Sequence, residues 1–441
     1  MNVVDFISVK RDGGEHADAQ IRAFIRSVAS DAIADYQISA WLMAVYLRGM
    51  TARETLTLTL AMRDSGQVID LSDLPNGPAL DKHSTGGVGD KTTLVVVPIA
   101  AAAGIPLLKM SGRGLGYSGG TVDKLESIPG FRADLTVDAA KKQVAKVGAA
   151  LIAQSAELAP ADKILYALRD VTATIECLPL IASSIMSKKL ASGGAKIVLD
   201  VKVGRGAFMK TRERAETLAR MMIEIGNGAG VPTSALLTAM DEPLGRNIGN
   251  ALEVQEALDV LAGSPDGDRL FRALCLDLAA HGIHVMGKAD SEPEARQIAE
   301  DILTSGQAAK KFGEIVKAQG GHSTLSDIRN ELPQTEIRHA VLAESAGVVA
   351  GLDAEAVGRL AVSLGAGRSA KADRIDPAVG IALNRKTGDT VLAGDILAVL
   401  HLRDDDAERA EAFSAVLQKA YSIAPEAQAP RPASLVIAAL D

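Results

Sequence analysis

The sequence predicts an α/β protein: a small discontinuous helical domain, a larger α/β domain with a mainly parallel sheet, and a C-terminal β-rich lobe. Three observations carry this reading. The first 66 residues show only helical periodicity. From residue 81 onward, strand-length apolar runs alternate with amphipathic helical ones, the pattern of a parallel sheet. From about residue 336 the runs become short, β-rich and punctuated by glycine. At 441 residues the chain exceeds what a single core supports.

In chain order, Val4, Ile7 and Val9 suit a short first helix that Asp12-Gly13-Gly14 ends. Ile21, Phe24, Ile25 and Val28 form an i, i+3, i+4, i+7 stripe on a second. Ser39 is placed to cap a third, holding Trp41, Leu42, Val45 and Tyr46, and Thr51-Ala52-Arg53-Glu54 is a capping box that opens a fourth. Pro75-Asn76-Gly77-Pro78 marks a hinge over residues 67–80. Residues 95–103 then read as a helix, 105–108, 149–153, 196–203 and 234–240 as strands, and 212–228 as an amphipathic helix. Helical character returns over 160–190, an excursion suited to rejoining the N-terminal helices. The expected domains are therefore 1–66 with 160–192 (helical), 81–159 with 193–335 (α/β) and 336–441 (β-rich lobe). Within the lobe, residues 379–400 resemble a half-repeat of biotinyl or lipoyl carrier domains. The turn there, Arg385-Lys386-Thr387-Gly388, lacks the methionine or acidic neighbours of a modified lysine, which favours a structural lobe.

Composition narrows the function. With 3% aromatic residues and a net charge of −8, the chain has neither the stacking surface nor the basic footprint of a nucleic-acid binder. Cys177 and Cys275 exclude a disulfide framework and stand in no metal-ligand spacing. Charges come too early at the N-terminus for a secretory segment, and no apolar run reaches membrane-spanning length, so a cytoplasmic protein with no membrane partner is expected.

The chemistry concentrates in residues 81–126. Two glycine-rich turns, Lys82-His83-Ser84-Thr85-Gly86-Gly87-Val88-Gly89 and Lys109-Met110-Ser111-Gly112-Arg113-Gly114 running on to Gly119-Gly120-Thr121, each carry hydroxyls and a lysine. Glycine lets backbone N–H groups approach an oxyanion, and a helix N-terminus adds favourable partial charge, so the pair suggests one phosphate gripped from two sides. Gly114-Leu115-Gly116-Tyr117-Ser118-Gly119 also matches the dinucleotide fingerprint, with Asp134 twenty residues after Gly114. Against an NAD-dependent dehydrogenase, the segment from Thr121 stops at Pro129-Gly130, too short for the helix of a βαβ unit.

Lys82 to Asp90 together with Ser111-Gly112-Arg113-Gly114-Leu115-Gly116-Tyr117-Ser118-Gly119-Gly120-Thr121 to Glu126 resembles the thymidine and pyrimidine-nucleoside phosphorylases. Leu165 to Asp170, Ser183 to Lys189 and Asp200 to Met209 agree with it, so the resemblance spans nearly the whole chain. It implies a homodimer joined through the helical domain and a cleft that closes over substrate. The implied reaction is reversible phosphorolysis of a pyrimidine nucleoside to free base and α-(deoxy)ribose 1-phosphate, with inorganic phosphate as co-substrate and no organic cofactor. An anthranilate-type phosphoribosyltransferase shares the architecture, but no acidic cluster plainly supplies its magnesium site.

Carried over by position, the resemblance implies that Lys82, Ser84, Thr93, Lys109, Ser111 and Thr121 bind phosphate, and that Arg169, Ser184 and Lys188 recognise the base. Ser184 and Lys188 are i, i+4 neighbours on one helix face. Cations facing the pyrimidine carbonyls, Arg169 and Lys188, would stabilise charge developing on the leaving base. His83 is the expected proton donor to that base; His16, His281, His284, His322, His339 and His401 form no metal set. Strict thymidine phosphorylases carry an apolar residue at the position of Lys109, whereas lysine there reaches a ribose 2′-hydroxyl and admits uridine. A potassium site of broad-specificity relatives corresponds to Gly89, Leu244, Asn247 and Glu256, but Lys91 stands where they have threonine. Lys91 either takes the ion's place against Glu256 or points to solvent and leaves the ion its site.

Overall fold

Asn2 accepts the first free N–H of the chain, that of Val4, at 3.0 Å, and opens helix α1 (Val3–Arg11). The computed structural model that shows this describes residues 1–114, 116–155, 157–264, 267–368, 373–425 and 434–441; Leu115 of the second glycine-rich turn lies outside them. The face of α1 differs from the expected one. Val4 is 60% exposed and Val9 37%, while Phe6 and Lys10, one turn apart, point inward. Lys10 turns in because the buried Glu54 carboxylate waits at 2.8 Å. Helices α2 (Asp18–Ala29), α3 (Asp35–Arg48) and α4 (Ala52–Arg63) follow. Ser39 lies inside α3 and caps nothing: the helix starts a turn earlier, after extended Ala34, with Asp35 complementing its N-terminus. Thr51 and Glu54 form the capping box of α4.

Strand β1 (Leu80–Ser84), α5 (Thr92–Ala102), β2 (Leu107–Ser111), α6 (Thr121–Leu125), α7 (Val137–Val147) and β3 (Ala149–Ala153) come next. Strand β2 begins two residues later than expected, because Pro106 has no N–H to give a ladder. Helices α8 (Pro160–Val171) and α9 (Leu178–Ala191) return to the helical domain: Ala161, Leu165, Cys177 and Leu180 share one apolar cluster with Phe6, Phe24 and Trp41. Strand β4 (Lys196–Val203), α10 (Arg212–Gly228) and β5 (Thr233–Ala239) complete the central layer, where β1, β4 and β5 run parallel. Strands β2 and β3 form a second parallel pair.

After β6 (Asn247–Ile248) come α11 (Asn250–Leu261), α12 (Arg269–Val285), α13 (Glu292–Thr304), α14 (Gln307–Ala318) and α15 (Leu325–Glu331), several of which enclose α5 in the largest apolar cluster. The lobe holds β7 (Ile337–Leu342), β8 (Gly347–Leu352), α16 (Ala354–Ala361), β9 (Gly380–Leu383), β10 (Thr390–Val391), β11 (Ile396–Leu402), α17 (Ala410–Ala420) and β12 (Tyr421–Ala424). Its edges are not those expected. Strand β13 (Val436–Leu440) leaves the lobe and adds to β5 antiparallel, while β6 crosses over to pair with β9. The carrier-like turn faces inward: Lys386 is 2% exposed and its ammonium meets the Pro243 carbonyl at 3.0 Å and Glu242 at 3.1 Å. A lysine so enclosed serves packing and not acylation.

The chain passes between helical and α/β domains three times, over residues 64–79, 154–159 and 192–195. The passages are bonded to one another: Gln67 N–H donates to the Glu157 carbonyl at 2.9 Å and Ala195 N–H to the Ala79 carbonyl at 2.7 Å, while Ile69 N–H donates to the Ala191 carbonyl at the end of α9 at 2.8 Å. Gly66 and Gly193 permit this contact. A Cβ at either would fall 2.1 Å from Glu157 O or 2.3 Å from Ile69 O.

Candidate active site

The carboxyl ends of β1, β2 and β3 deliver Ser84, Ser111 and Gln154 to one edge of the parallel layers, where ligands of such sheets bind. A cavity of about 810 Å³ opens there, facing α8 and α9. Its α/β wall includes His83, Ser84, Gly86, Asp90, Thr93, Lys109, Ser111 and Thr121. Its helical wall carries Tyr166, Arg169, Ile181, Ser184 and Lys188. The two glycine-rich turns thus share a wall, and the residues expected to read the base stand opposite.

Lys82 is the exception, absent from the lining. Its ammonium is buried behind β1, bonded to Thr92 Oγ1 at 2.8 Å and to Asp200 Oδ2 at 3.3 Å. Parallel pairing with β4 sets Asp200 beside Ser84, and Lys202, two residues further on, meets the same carboxylate at 2.9 Å. A charged floor therefore lies beneath the cavity and acts through its field.

The cavity wall holds polar atoms without partners. Neither His83 Nε2 nor Ser111 Oγ has a hydrogen-bond partner, although both are buried. An orphaned buried polar atom costs about 1–3 kcal/mol, which a bound anion would recover. Lys109 gives one proton to the Met110 carbonyl at 2.7 Å and keeps its other donors. Burial first, then Lys189 and Lys109, pushes the His83 imidazole well below its ordinary value. Burial first, then Lys189, also lowers the Lys109 ammonium. Both groups stand to gain from a negative ligand.

On the helical wall, Lys188 pairs with Asp162 and donates to Ser184 Oγ at 3.0 Å, so the i, i+4 pair forms one polar unit. Arg169 spends three donors on the carbonyls of Thr174 (3.3 Å), Ile175 (2.6 Å) and Leu180 (3.0 Å). These bonds fix the α8–α9 connection and leave two N–H groups of its fork for a ligand. At the mouth stand Phe208, Lys210, Glu355 and Arg359, and Lys210 binds Glu355 at 2.7 Å and Tyr117 Oη at 3.0 Å.

Sequence reasoning overlooked Asp90 and Gln154. Gln154 was findable: it directly follows the last residue of β3, at the same end of the sheet layers where Ser84 ends β1 and Ser111 ends β2. Asp90 was quoted within its motif, yet its bond to Ser84 shows only in three dimensions. The fingerprint loop 114–119 leads into α6, a helix of five residues, and so does not build a dinucleotide site. Among the described residues no group of three or more His, Cys, Asp or Glu could hold a metal ion.

At the positions matched to a potassium site, the oxygens already have a cation. Lys91 Nζ, fully buried, lies 2.7 Å from Leu244 O, 3.0 Å from Asn247 O and 2.6 Å from Glu256 Oε2. Gly89 O accepts the Lys91 backbone N–H at 3.0 Å. Glu256 also accepts the N–H groups of Arg246 and Asn247, at 2.7 and 2.9 Å. The residues present do not fit a potassium ion while this ammonium occupies its ligands.

Comparison with known proteins identifies the family. Residues 4–66 match the description "Glycosyl transferase family, helical bundle domain", residues 76–309 "Glycosyl transferase family, a/b domain", and residues 348–424 "Pyrimidine nucleoside phosphorylase C-terminal domain". The chain is 48% identical to the pyrimidine-nucleoside phosphorylase of Bacillus subtilis (strain 168), over 98% of each chain. It is 49% identical to that of Geobacillus stearothermophilus, over 91% of this chain and 92% of the relative. Among solved structures, anthranilate phosphoribosyltransferase from Thermus thermophilus superposes with a TM-score of 0.59 at 17% identity, covering 72% of this chain and 99% of that one. At that identity the likeness is one of fold. With its helical bundle, its α/β domain and its C-terminal lobe all matched, the chain belongs to the pyrimidine-nucleoside phosphorylase family.

Proposed function

We propose that the protein catalyses reversible phosphorolysis of pyrimidine nucleosides, accepting uridine, thymidine and deoxyuridine. The observation that carries this is the opposition of two walls across one cavity: hydroxyls and a lysine on the glycine-rich turns, and Arg169, Ser184 and Lys188 on α8 and α9. Phosphate sits among Ser84, Thr93, Lys109, Ser111 and Thr121, above the field of Lys82. Charge-assisted bonds of this kind contribute about 1.5–3 kcal/mol each. Arg169 and Lys188 face the pyrimidine carbonyls and stabilise the charge that builds as the glycosidic bond breaks. His83 donates toward the 2-carbonyl. Its depressed pKa makes phosphate the trigger, because a dianion among the lysines raises the imidazole toward the range in which it gives up a proton.

Lys109 supports the broad substrate range over a strictly thymidine-specific enzyme, since it lines the cavity and spends only one of its donors, on Met110 O. The protein needs no organic cofactor in this reading, and Lys91 replaces potassium. A homodimer through the helical domain is supported by apolar side chains left outside on α1 and α3, with Val4, Tyr36 and Leu47 60%, 76% and 71% exposed. A cytoplasmic location fits the two free, buried cysteines. Base release from uridine, thymidine, cytidine and inosine, measured side by side with and without phosphate, tests the reading. Phosphate-independent release, or none from uridine and thymidine, would overturn it.

A further inference from the structure

Ser84 differs from the other hydroxyls of the cavity in where its proton goes. Its Oγ bonds to Asp90 Oδ2 and accepts the Gly86 N–H at 3.2 Å. The other oxygen of Asp90 takes the Thr92 N–H at 3.2 Å and the Thr92 hydroxyl at 2.7 Å. Burial opposes charge on Asp90, but Lys202, Lys82 and Lys124 overcome it and hold the carboxyl far below its ordinary range. An ionised carboxylate only accepts, so the single Ser84 proton must lie on Asp90. With one lone pair engaged by Gly86, Ser84 offers the cavity its other lone pair and no proton. Lys109 Nζ in the same cavity has only protons to offer, and the unpartnered Ser111 hydroxyl keeps its proton free for a ligand.

We propose that the Ser84–Asp90 pair reads the proton of the bound anion, selecting hydrogen phosphate over tetrahedral dianions that carry none. Hydrogen phosphate has one P–O–H group, which donates to Ser84 Oγ, and three unprotonated oxygens for the surrounding donors. Sulfate has the same shape and charge but sets an unprotonated oxygen against a lone pair backed by a carboxylate. One hydrogen bond is lost and a repulsion replaces it. Asp90 is then a positioning residue that fixes the polarity of Ser84. The inference rests on the phosphate reading of the cavity and adds to it the form in which phosphate enters.

The test uses the full-length protein at mildly alkaline pH, where phosphate, sulfate and monofluorophosphate are all dianions and only phosphate keeps a proton. Dissociation constants measured by calorimetry should favour phosphate over the other two by about tenfold or more, the size of one hydrogen bond to a charged group. Asp90→Asn turns an amide N–H toward Ser84 Oγ and frees the hydroxyl proton for the cavity. In that variant the phosphate-to-sulfate ratio should fall by about tenfold while nucleoside KM stays close to the wild-type value. Equal binding of the three anions by the unmutated protein would overturn the proposal, and needs no variant to fold. An unchanged ratio in Asp90→Asn with a shifted nucleoside KM would also overturn it, placing a sugar hydroxyl on Ser84. Absence of phosphorolysis with the anion ratio intact would count against the proposed function and leave this inference standing.

Discussion

Lys91 and Glu256 form an ion pair at 2.6 Å in which the lysine is fully buried and the glutamate 5% exposed. The ammonium lies 5.0 Å from the centre of the Phe271 ring and shares its remaining protons with two carbonyls, so its charge is satisfied on every side. Breaking a buried pair at one partner costs about 3–5 kcal/mol. Lys91→Ala should therefore lower the melting temperature markedly in sodium buffer and recover part of the loss in potassium, which fits the vacated oxygens. Wild-type activity should ignore the exchange. Potassium-stimulated turnover of the wild type after exhaustive removal of alkali ions would sink the replacement.

Lys109→Met keeps an apolar stem of similar length and removes the donors proposed to meet the sugar. Uridine cleavage should fall at least tenfold more than thymidine cleavage in kcat/KM, the worth of one hydrogen bond from a charged group. Equal losses on the two substrates would show that Lys109 serves phosphate alone.

His83→Ala should reduce kcat by about 100-fold or more, with KM for nucleoside changed far less, as expected for a group acting on the leaving base. The same residue predicts an ionic effect. Its imidazole is depressed by burial and by Lys189 and Lys109, so adding phosphate should raise the His83 titration seen by NMR. A titration indifferent to phosphate would separate His83 from the anion site.

The helical domain carries its own pH dependence. His16 is buried, stacked on Phe6 with ring centres 3.7 Å apart, and accepts the Trp41 indole N–H at 3.2 Å. Burial first, then Lys10, lowers its pKa from 6.5 to about 4. A folded-state pKa below the unfolded value gives stability that is complete above about pH 6.5 and lost as pH falls toward 4. The loss should approach about 3 kcal/mol. Chemical denaturation from pH 7 to 4 should show this slope, and His16→Gln should flatten it.

Lys386 offers a check on the lobe. Lys386→Met leaves Glu242 and Asp268 without their shared cation and should destabilise the fold by about 3 kcal/mol. Because the Pro243 carbonyl it holds precedes Leu244, whose N–H bonds the Val88 carbonyl of the first turn at 3.0 Å, phosphate KM should rise more than nucleoside KM. Equal rises in both would make Lys386 a matter of stability alone.

Local patterns were legible where one segment decides its own state. Strands β3 and β4 and helix α10 fall where periodicity and caps put them. What could not be read depends on partners distant in sequence. Lys10 turns inward for Glu54, and no pattern within α1 announces that. Strand β13 pairs with β5 across almost 200 residues. Lys82 sits in the phosphate motif by position, yet register with β4 brings Asp200 to its ammonium. The polarity of Ser84 follows from Asp90, which three neighbouring lysines keep charged.

The three bonded passages between the domains limit how the cavity can change shape. Three segments held side by side act as one axle, because Gln67 ties the first passage to the second and Ala79 ties it to the third. Sliding of one domain over the other would break those bonds, whereas rotation about their line keeps them. A rotation of that kind would carry Arg169, Ser184 and Lys188 as one unit, since all three stand on α8 and α9, and Gly66 and Gly193 are the positions where the close packing of the passages leaves no room for a side chain.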